Sequence, residues 1–568
     1  MEIAIEVNGK MLKAMRGETI LDVLRRQGIA VPTLCHLPGL SPSGSCRICV
    51  VEVAGRDELL PSCSQRVDEG MRIQTHTPRV LSARKAIIEM LLSAHPGECL
   101  HCLRNGDCEL QQLAADLHIG ERRYPSTFHL LKKDTSSETL ILDHNKCIRC
   151  ARCVRTCAEV MGVYALEVTG RGSFTRINTV LGKGLNLSAC IGCGQCILAC
   201  PSGAMQGKSA LDQVMEVLSR PDTYPVISLS AVSVVSVGEM LGLRTGKDLS
   251  GALVTALRMM GFHKVMDMTA GTDLAIRLTA ELITERISRG ITTPLFSSCC
   301  PSWVQLAVRS ADTLPGELSP VRSPRQLMSL LASSGISEEE SKSMPGLVHI
   351  SVEPCTARKT ELTREELPPG RTIRNEIAIT TRDLADLVKM FGIDAGMMEE
   401  QSADDPMEIH SYTGRIAGMS GGTVELVAAA LNDMLHGKSS EDEKSGRLRG
   451  NRAIKEVKIS AGQNTYSLIA INGAGNIREA MQRIKGRTDV LFVEVMACPG
   501  GCIFGGGQSA LKDENTARTR VKALTDAHSK YRRPAVQTTD PLEMLRKTVS
   551  PSGLAYLSGR SFNRKELD

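Results

Sequence analysis

The chain has 568 residues, 42% of them hydrophobic and 23% charged, which is too long for one core and has the balance of a water-compatible chain of several domains. Only 3% of residues are aromatic, which removes the stacking platform of a single-strand nucleic-acid binder, and the net charge of +5 contains no run of like charge that would mark a membrane surface or an acidic partner. No segment reaches the roughly 18 consecutive apolar residues of a membrane span; the most apolar stretches, such as 226–237, read as short strands, and the N-terminus is not a basic and apolar targeting segment, so a soluble cytoplasmic protein is expected.

Twenty cysteines in a reducing compartment are explained by metal ligation before disulfides. They fall into tightly spaced sets separated by long cysteine-free stretches, as cluster ligands do. Residues 1–7 alternate Ile and Val with Glu and run into Asn8-Gly9, which predicts a strand and a hairpin turn, and a helix is expected over about 19–27. This segment carries Cys35, Cys46, Cys49 and Cys63, four thiolates that suffice for a [2Fe-2S] centre. Gly44 before Cys46 suits a loop wrapped tightly around sulfur. A structural four-cysteine zinc site competes, although such sites usually show two Cys-x2-Cys knuckles and one is present. The spacing resembles the N-terminal [2Fe-2S] domain shared by the large subunit of NADH dehydrogenase and by long hydrogenases.

A helix predicted over 78–93, with Val80, Ala83, Ile87, Met90 and Leu91 on one face, leads to His95, Cys99, Cys102 and Cys108. One imidazole and three thiolates can hold a [4Fe-4S] cluster, with zinc again the competitor; the spacing resembles the next module of the same two families. Residues 120–138 are rich in charge and small polar residues and read as a linker. Two repeats follow, Cys147, Cys150, Cys153, Cys157 and then Cys190, Cys193, Cys196, Cys200-Pro201, in the pattern of bacterial two-cluster ferredoxins. In that pattern the fourth cysteine of each run ligates the other cluster, which groups Cys200 with Cys147, Cys150 and Cys153, and Cys157 with Cys190, Cys193 and Cys196. Ala158 replaces the usual proline of the first run, a change in the turn and not in the ligands.

From about 211 to 507, apolar strands expected at 226–229, 347–352 and 490–495 alternate with helices such as 251–260, which predicts parallel sheets covered by helices. The last five cysteines sit at or beyond the ends of such elements, where open α/β folds place their chemistry. They lie in three motifs: Ser298-Cys299-Cys300-Pro301-Ser302-Trp303, Pro354-Cys355-Thr356-Ala357-Arg358-Lys359-Thr360-Glu361, and Met496-Ala497-Cys498-Pro499-Gly500-Gly501-Cys502, the last running on to Gly505-Gly506-Gly507-Gln508. Together they resemble the three motifs of iron-only ([FeFe]) hydrogenases, whose long members carry the same accessory clusters in the same order.

The resemblance implies that Cys300, Cys355, Cys498 and Cys502 ligate a [4Fe-4S] cube and that Cys502 also bridges to a two-iron unit carrying carbon monoxide, cyanide and a bridging dithiolate. One [2Fe-2S] and four [4Fe-4S] centres follow, counting that cube. Cys299 matches the residue that passes protons to and from the unit, which accounts for every cysteine. Heterolytic cleavage of H2 needs an open metal position and an adjacent base, and the accessory clusters carry single electrons away. The glycine run 505–507 is expected to offer unobstructed backbone N–H groups as a cradle.

Departures from the family concentrate around the metal ligands. Glu353 stands where methionine is usual and is costly when buried unless paired or protonated; Arg358 replaces a lysine with a longer, planar donor, and the two are expected to compensate one another as a pair. Ala417 and Ala231 stand where an aromatic residue and a proline are common, while Ser323, Met496 and Glu361 match. By the same resemblance Ser230, Ala231, Pro354, Ala417, Gly418 and Glu361 contact the cofactor, and Cys299, Arg358, Glu353, Ser323 and Met496 serve the chemistry. The two usual proton-relay glutamates fall on Thr279 and Leu282, so Glu281, Glu285 or water is expected to stand in, unless both glutamates are solvated surface.

The fold class expected is multidomain α+β and α/β: a β-grasp [2Fe-2S] domain at 1–78, a His-ligated [4Fe-4S] module at 79–119, a two-[4Fe-4S] ferredoxin domain at 136–210, a catalytic domain at 211–511 and a basic, belt-like segment at 512–568. The expected partners are H2, protons, a ferredoxin or a flavin- or NAD-linked redox subunit, and dedicated maturation enzymes, with no nucleic acid and no membrane insertion. Two other readings compete: a hydrogen sensor using the same site, favoured by the altered surroundings of the cluster, and an electron-wiring subunit of a larger NADH-linked, electron-bifurcating complex, for which the five late cysteines would be surplus.

Overall fold

The computed structural model describes residues 1–121, 123–125, 130–310, 314–334, 346–362, 376–405, 413–436, 452–511 and 513–531. The chain divides into two compact units, Met1–Cys190 with Gln195–Gln206, and Ile191–Gly194 with Gly207–Asp568.

In the first unit, β1 (Glu2–Val7) and β2 (Lys10–Met15) form the expected hairpin. Asn8 and Gly9 both adopt positive φ, as a two-residue hairpin turn demands. Helix α1 (Ile20–Arg26) starts at Thr19, whose side chain and that of Asp22 cap each other's backbone N–H groups. Strands β3 (Val50–Val53), β4 (Leu60–Pro61) and β5 (Arg72–Gln74) complete a sheet of order β2-β1-β5-β3-β4 with α1 packed into the same core, as a β-grasp reading requires. Helix α2 (Pro78–Ser93) has the predicted span, with Pro78 in the first turn and Thr77 as cap. Its buried face is centred on Val80, Arg84 and Ile88, while Met90, predicted inward, is exposed. The long Arg84 side chain reaches the Val50 carbonyl at 2.9 Å and so occupies a core position that hydrophobicity alone does not assign to it.

Further along lie α3 (Glu109–Asp116), β6 (Leu140–Leu142), α4 (Arg152–Arg155), β7 (Leu166–Thr169), β8 (Arg176–Thr179), α5 (Gln195–Ala199) and β9 (Met205–Gly207), with β6 paired to β9 and β7 to β8. Five of the residues in the 120–138 linker, 122 and 126–129, lie outside the described residues.

The second unit holds α6 (Leu211–Ser219), β10 (Tyr224–Leu229), α7 (Ala231–Met240), α8 (Ser250–Met259), β11 (Lys264–Asp267), α9 (Thr269–Ser288), β12 (Leu295–Phe296), α10 (Pro301–Arg309), β13 (Glu317–Leu318), α11 (Pro324–Ser334), β14 (Leu347–Glu353), β15 (Glu376–Thr380), α12 (Thr381–Met390), α13 (Gly422–His436), β16 (Ile454–Ala461), β17 (Asn464–Asn472), α14 (Ile477–Ile484), β18 (Val490–Met496) and α15 (Glu514–Tyr531). One sheet, β11-β10-β14-β15, is wholly parallel; the other, β13-β12-β18-β17-β16, is parallel except for the β16–β17 hairpin. β10 and β18 are buried at every position, which is why they read as nearly continuous apolar runs, interrupted by Ser228 and Glu494.

The expectation of strand across 226–237 is corrected. The strand ends at Leu229, and Val232–Val237 belong to α7. Because α7 is buried from Val232 through Gly238, it shows no amphipathic period, and its four β-branched valines look like strand. Of the segment 512–568, residues 513–531 are described, chiefly as α15; the rest of the belt-like region lies outside the described residues.

Helix α15 docks through Arg520, which is fully buried and grips Glu239 of α7 with two bonds, Nε to Oε1 at 2.8 Å and Nη2 to Oε2 at 2.5 Å. Removing one partner of such a pair strands a buried charge. Arg520→Ala is therefore expected to cost about 3–5 kcal/mol of local stability, read as lost amide hydrogen-exchange protection in α15; unchanged protection there would contradict this role for the pair.

Candidate active site

The five late cysteines come from three turns at the carboxyl ends of parallel strands. Phe296 pairs with Val493 across β12 and β18, and Leu229 with Val352 across β10 and β14, so the turns after all four strands share one end of their sheets. Cys299 and Cys300 follow β12, and Cys300 is the N-cap of α10 with Pro301 filling the first position, where no N–H donor is missed. Cys355 follows β14 and caps a 3-10 turn, while Cys498 and Cys502 flank the sharp turn after β18. All five line one cavity of about 120 Å³, together with Ser230, Ala231, Pro354, Ala417, Gly418, Met496, Glu353 and Arg358.

The cavity wall explains the glycines. Gly501 sits at φ +100°, and a Cβ there would lie 2.6 Å from the Ser420 nitrogen. Gly505 and Gly507 press against the Pro354 carbonyl group, and Gly506 against the Cys193 and Gly194 backbone, too closely for any side chain. The expected cradle of free N–H groups is corrected: Gly507 N–H donates to the Pro354 carbonyl and Gly505 N–H to the Cys502 carbonyl, both at 2.9 Å. These glycines serve close backbone approach, tying the turn after β18 to the turn after β14.

Arg358 organises the polar side. Its Nη1 donates to Glu361 Oε1 at 2.7 Å, its Nη2 to Cys299 Sγ at 3.5 Å, and its Nε lies 3.6 Å from Glu353 Oε2. The pairing expected between Glu353 and Arg358 is thus present, with Glu361 the shorter partner. Glu361 also accepts from Arg325 Nε and Ser323 Oγ, each at 3.1 Å, and Arg325 continues to Glu376. Ser323 and Glu361 therefore stand behind the cavity and hold Arg358. Burial pushes the Cys299 thiol above its usual range, and the Arg358 guanidinium pulls it back. Burial also raises Glu353 to about 7, against the pull of Arg358, and Cys355 to about 12.

On α9, Thr279 lines the cavity but donates its hydroxyl to the Ala275 carbonyl at 2.7 Å, and Leu282 packs in an apolar cluster. Glu281 and Glu285 pair with Arg277 and Arg289 at 3.4 and 2.6 Å and are partly exposed. That placement is the solvated-surface position, one of the alternatives the sequence leaves open. Arg325 and Glu494 went unseen in the sequence. Glu494 carries a signal, a lone charge inside the apolar run of β18; Arg325, at the start of a helix, carries none.

In the first unit, Cys35 lies within sulfur hydrogen-bond reach of Cys46 and Cys63, and Cys49 within reach of Cys63, so the first set converges. His95 is buried with Nδ1 2.9 Å from the Pro96 carbonyl, which sets the tautomer so that Nε2 carries the lone pair. Lys146 Nζ reaches Cys102 Sγ at 3.4 Å; Cys102 and Cys108 are half-buried and Cys99 is exposed. Cys147, Cys150, Cys153 and Cys200 line one small cavity, the crossed grouping read from the spacing. Cys157 Sγ accepts from Ala165 N–H at 3.3 Å, and Cys157, Cys190 and Cys196 pack in one apolar cluster with Cys147, Cys153 and Cys200. Cys193 is on the segment Ile191–Gly194 that clusters with the second unit.

Family models match along the chain in order: the 2Fe-2S iron-sulfur cluster binding domain at 1–78, the NADH-ubiquinone oxidoreductase-G iron-sulfur binding region at 84–123, the NADH-quinone oxidoreductase subunit 3 ferredoxin-like domain at 137–206, and the iron only hydrogenase large subunit, C-terminal domain, at 223–506. The NADP-reducing hydrogenase subunit HndD of Solidesulfovibrio fructosivorans is 33% identical over 89% of this chain and 88% of its own length. Iron hydrogenase 1 of Clostridium pasteurianum is 31% identical over 92% of this chain and 91% of its own length. A structure of apo [FeFe]-hydrogenase HydA1 from Chlamydomonas reinhardtii superposes with TM-score 0.52 at 24% identity, over 62% of this chain and 98% of that one, a likeness of fold.

The donor set, the glycine wall and the buried guanidinium suit an iron-sulfur cofactor with anionic ligands. Glu361 is the residue that lets two buried arginines lie side by side. Glu361→Ala should cost about 3–5 kcal/mol in chemical denaturation of the full chain, and a cost below about 1 kcal/mol, the range of an exposed pair, would show that the network is solvated.

Proposed function

The chain belongs to the iron-only, or [FeFe], hydrogenases, it interconverts H2 with protons and electrons, and we propose that it does so in the cavity lined by its last five cysteines. The observation that carries this reading is that cysteines from three distant motifs line one cavity. Cys300, Cys355, Cys498 and Cys502 would hold a [4Fe-4S] cube, with Cys502 shared with a two-iron unit bearing carbon monoxide, cyanide and a dithiolate. When bound, that cofactor supplies the redox and Lewis-acid part of H2 cleavage.

The chain's own residues supply the proton and the enclosure. Cys299 carries the proton at Sγ, since it is the one cysteine of the cavity left as a thiol. Arg358 holds that sulfur by its Nη2 and is itself fixed by Glu361 and Glu353, with Ser323 and Arg325 behind them. Ser230, Ala231, Pro354, Ala417, Gly418 and Met496 form the wall against the cofactor and exclude water. The small side chains of Ala231 and Ala417 leave that wall roomier than a proline and an aromatic ring would.

Electrons leave through a [2Fe-2S] centre at Cys35, Cys46, Cys49 and Cys63 and three [4Fe-4S] centres, at His95, Cys99, Cys102 and Cys108, at Cys147, Cys150, Cys153 and Cys200, and at Cys190, Cys193, Cys196 and Cys157. The matched ranges support this order and fall within or close to the modules read at 1–78, 79–119, 136–210 and 211–511; the segment 512–568 lies beyond them. The relative named an NADP-reducing hydrogenase subunit favours a flavin- or nicotinamide-linked redox subunit as partner, with a ferredoxin as the other choice, and maturation enzymes would install the two-iron unit. Among the described residues no helix is long and apolar enough to cross a membrane, which agrees with a place in the cytoplasm. A sensor or a wiring subunit accounts for less, because relatives named as hydrogenases match about nine-tenths of the chain.

Infrared spectra of protein produced with maturation enzymes should contain bands of metal-bound carbonyl and cyanide. Cys299→Ala should keep those bands and lower H2/D2O exchange by at least about 100-fold, the contribution of a positioned acid or base. Matured protein without diatomic bands would overturn the site.

A further inference from the structure

The protons of this reaction need a way between the buried cavity and solvent, and the described lining residues include two carboxylates, Glu353 and Glu494. Their surroundings differ in kind. Glu353 is bounded by Arg358, with Arg325 beyond it, and a guanidinium does not give up its proton. Glu494 is 2% exposed and lies two residues before Met496 on β18, so both side chains point to the same face of the strand, and both line the cavity. Its Oε2 accepts from Val424 N–H at 3.2 Å in the first turn of α13, and Thr423 also bonds to the carboxyl. Its Oε1 is buried without a hydrogen-bond partner. An unsatisfied buried carboxyl oxygen is costly unless it carries or exchanges a proton.

Behind Glu494 lies a titratable path outward. Lys455 of β16 is buried, donates to the Ser420 carbonyl at 2.7 Å and hydroxyl at 3.3 Å, and is coupled electrostatically to Glu494 and to Glu425 of α13. Burial lowers the affinity of Lys455 for its proton, and both glutamates oppose that. Glu425 is partly exposed. Cavity, carboxylate, amine and outer carboxylate thus follow one another from the interior to the surface.

We propose that Glu494 is a proton-transfer residue of the hydrogen reaction, exchanging protons between the cavity and solvent by way of Lys455 and Glu425. The proposal rests on the cavity being the hydrogen site. In H2 oxidation an O–H bond forms at Glu494 Oε1 as the carboxylate takes up a proton released in the cavity. That bond breaks as the proton passes to the Lys455 amine, whose own proton has left to Glu425 and water; the two electrons of H2 leave separately through the iron-sulfur centres. In proton reduction the same steps run inward.

Burial raises Glu494 to about 7, opposed by the Val424 N–H, Lys455 and Thr423, so the carboxylate form needed to accept a proton grows in as pH rises through about 7. The test uses the full chain matured with its cofactor, first verified by carbonyl and cyanide bands in wild type and variant, so that failure of the site and failure of the relay are separate results. Wild-type H2 oxidation with a dye should rise with pH through about 7. E494Q should lose that rise and at least about tenfold in rate, while E494D recovers part of it. In the protein produced without maturation, infrared difference spectra should show protonated-carboxyl bands that titrate near 7, of which the Glu494 band is missing from E494Q while the Glu353 band stays. E425Q, on the outer face, supplies a second arm should E494Q fold poorly, and it should also slow H2/D2O exchange. Bands intact with a rate within about twofold of wild type and an unchanged pH profile in E494Q or E425Q, or no titrating carboxyl band that E494Q removes, would overturn the relay.

Discussion

Parallel strand pairing is the constraint on which the site depends. Cysteines separated by up to about 200 positions in sequence line one cavity because β10 with β14 and β12 with β18 run in the same direction and end together. Antiparallel neighbours would send alternate turns to opposite ends of the sheet. Two glycine contacts then fix the turns against one another: the turn after β18 donates to the Pro354 carbonyl, and Gly501 bridges to Met419. These clamps are backbone to backbone, and side-chain bonds such as Gly500 N–H to Asn472 Oδ1 and Gln508 Nε2 to the Val232 carbonyl add to them.

Within that frame the polar side of the cavity is a matter of charge balance. Arg358 and Arg325 are both buried, and each alone would carry a large desolvation cost. Glu361 takes one bond from each, and Glu353 and Glu376 lie at the two ends, so the buried charges alternate in sign. A lysine at 358 reaches one acceptor as a point charge, whereas a guanidinium presents separate donors to Glu361, Glu353 and Cys299 at once. Glu353 and Arg358 are for this reason a coupled pair of departures from the family pattern. The carboxylate is tolerable because the fork is there, and the fork is held because the carboxylate is.

Much of this was legible in the amino-acid pattern. The cysteine runs resemble those of two-cluster ferredoxins, and that resemblance grouped Cys200 with Cys147, Cys150 and Cys153, which line one cavity. The helix beginning near Thr19 and the span Pro78–Ser93 were equally plain, the latter from apolar residues recurring at helical spacing. What failed had a physical cause in each case. Helix α7 is surrounded by protein and so loses the polar face that betrays a helix. Arg84 was missed on α2 because an apolar stem with a carbonyl-seeking head can replace a hydrophobic residue. The glycines at 505–507 were read as free donors, yet Gly505 N–H is taken by the Cys502 carbonyl and Gly507 N–H by that of Pro354, a partner too distant in sequence to leave a local trace. Glu281 and Glu285 could be placed outward only once Arg277 and Arg289 were seen beside them.

The two sides of the cavity divide the labour of charge according to what each cation can do. On the Cys299 side the positive charges are guanidiniums, permanently protonated, so that side can orient a sulfur and favour negative charge without itself moving protons. On the β18 side the cation is Lys455, a group whose proton affinity is lowered by burial and which sits between two carboxylates. A site that oxidises or forms H2 must do both things at once, holding electrostatic conditions fixed while protons pass through. Placing fixed charge on α11 and the turn after β14, and exchangeable charge on β16, α13 and β18, lets one requirement be met without disturbing the other.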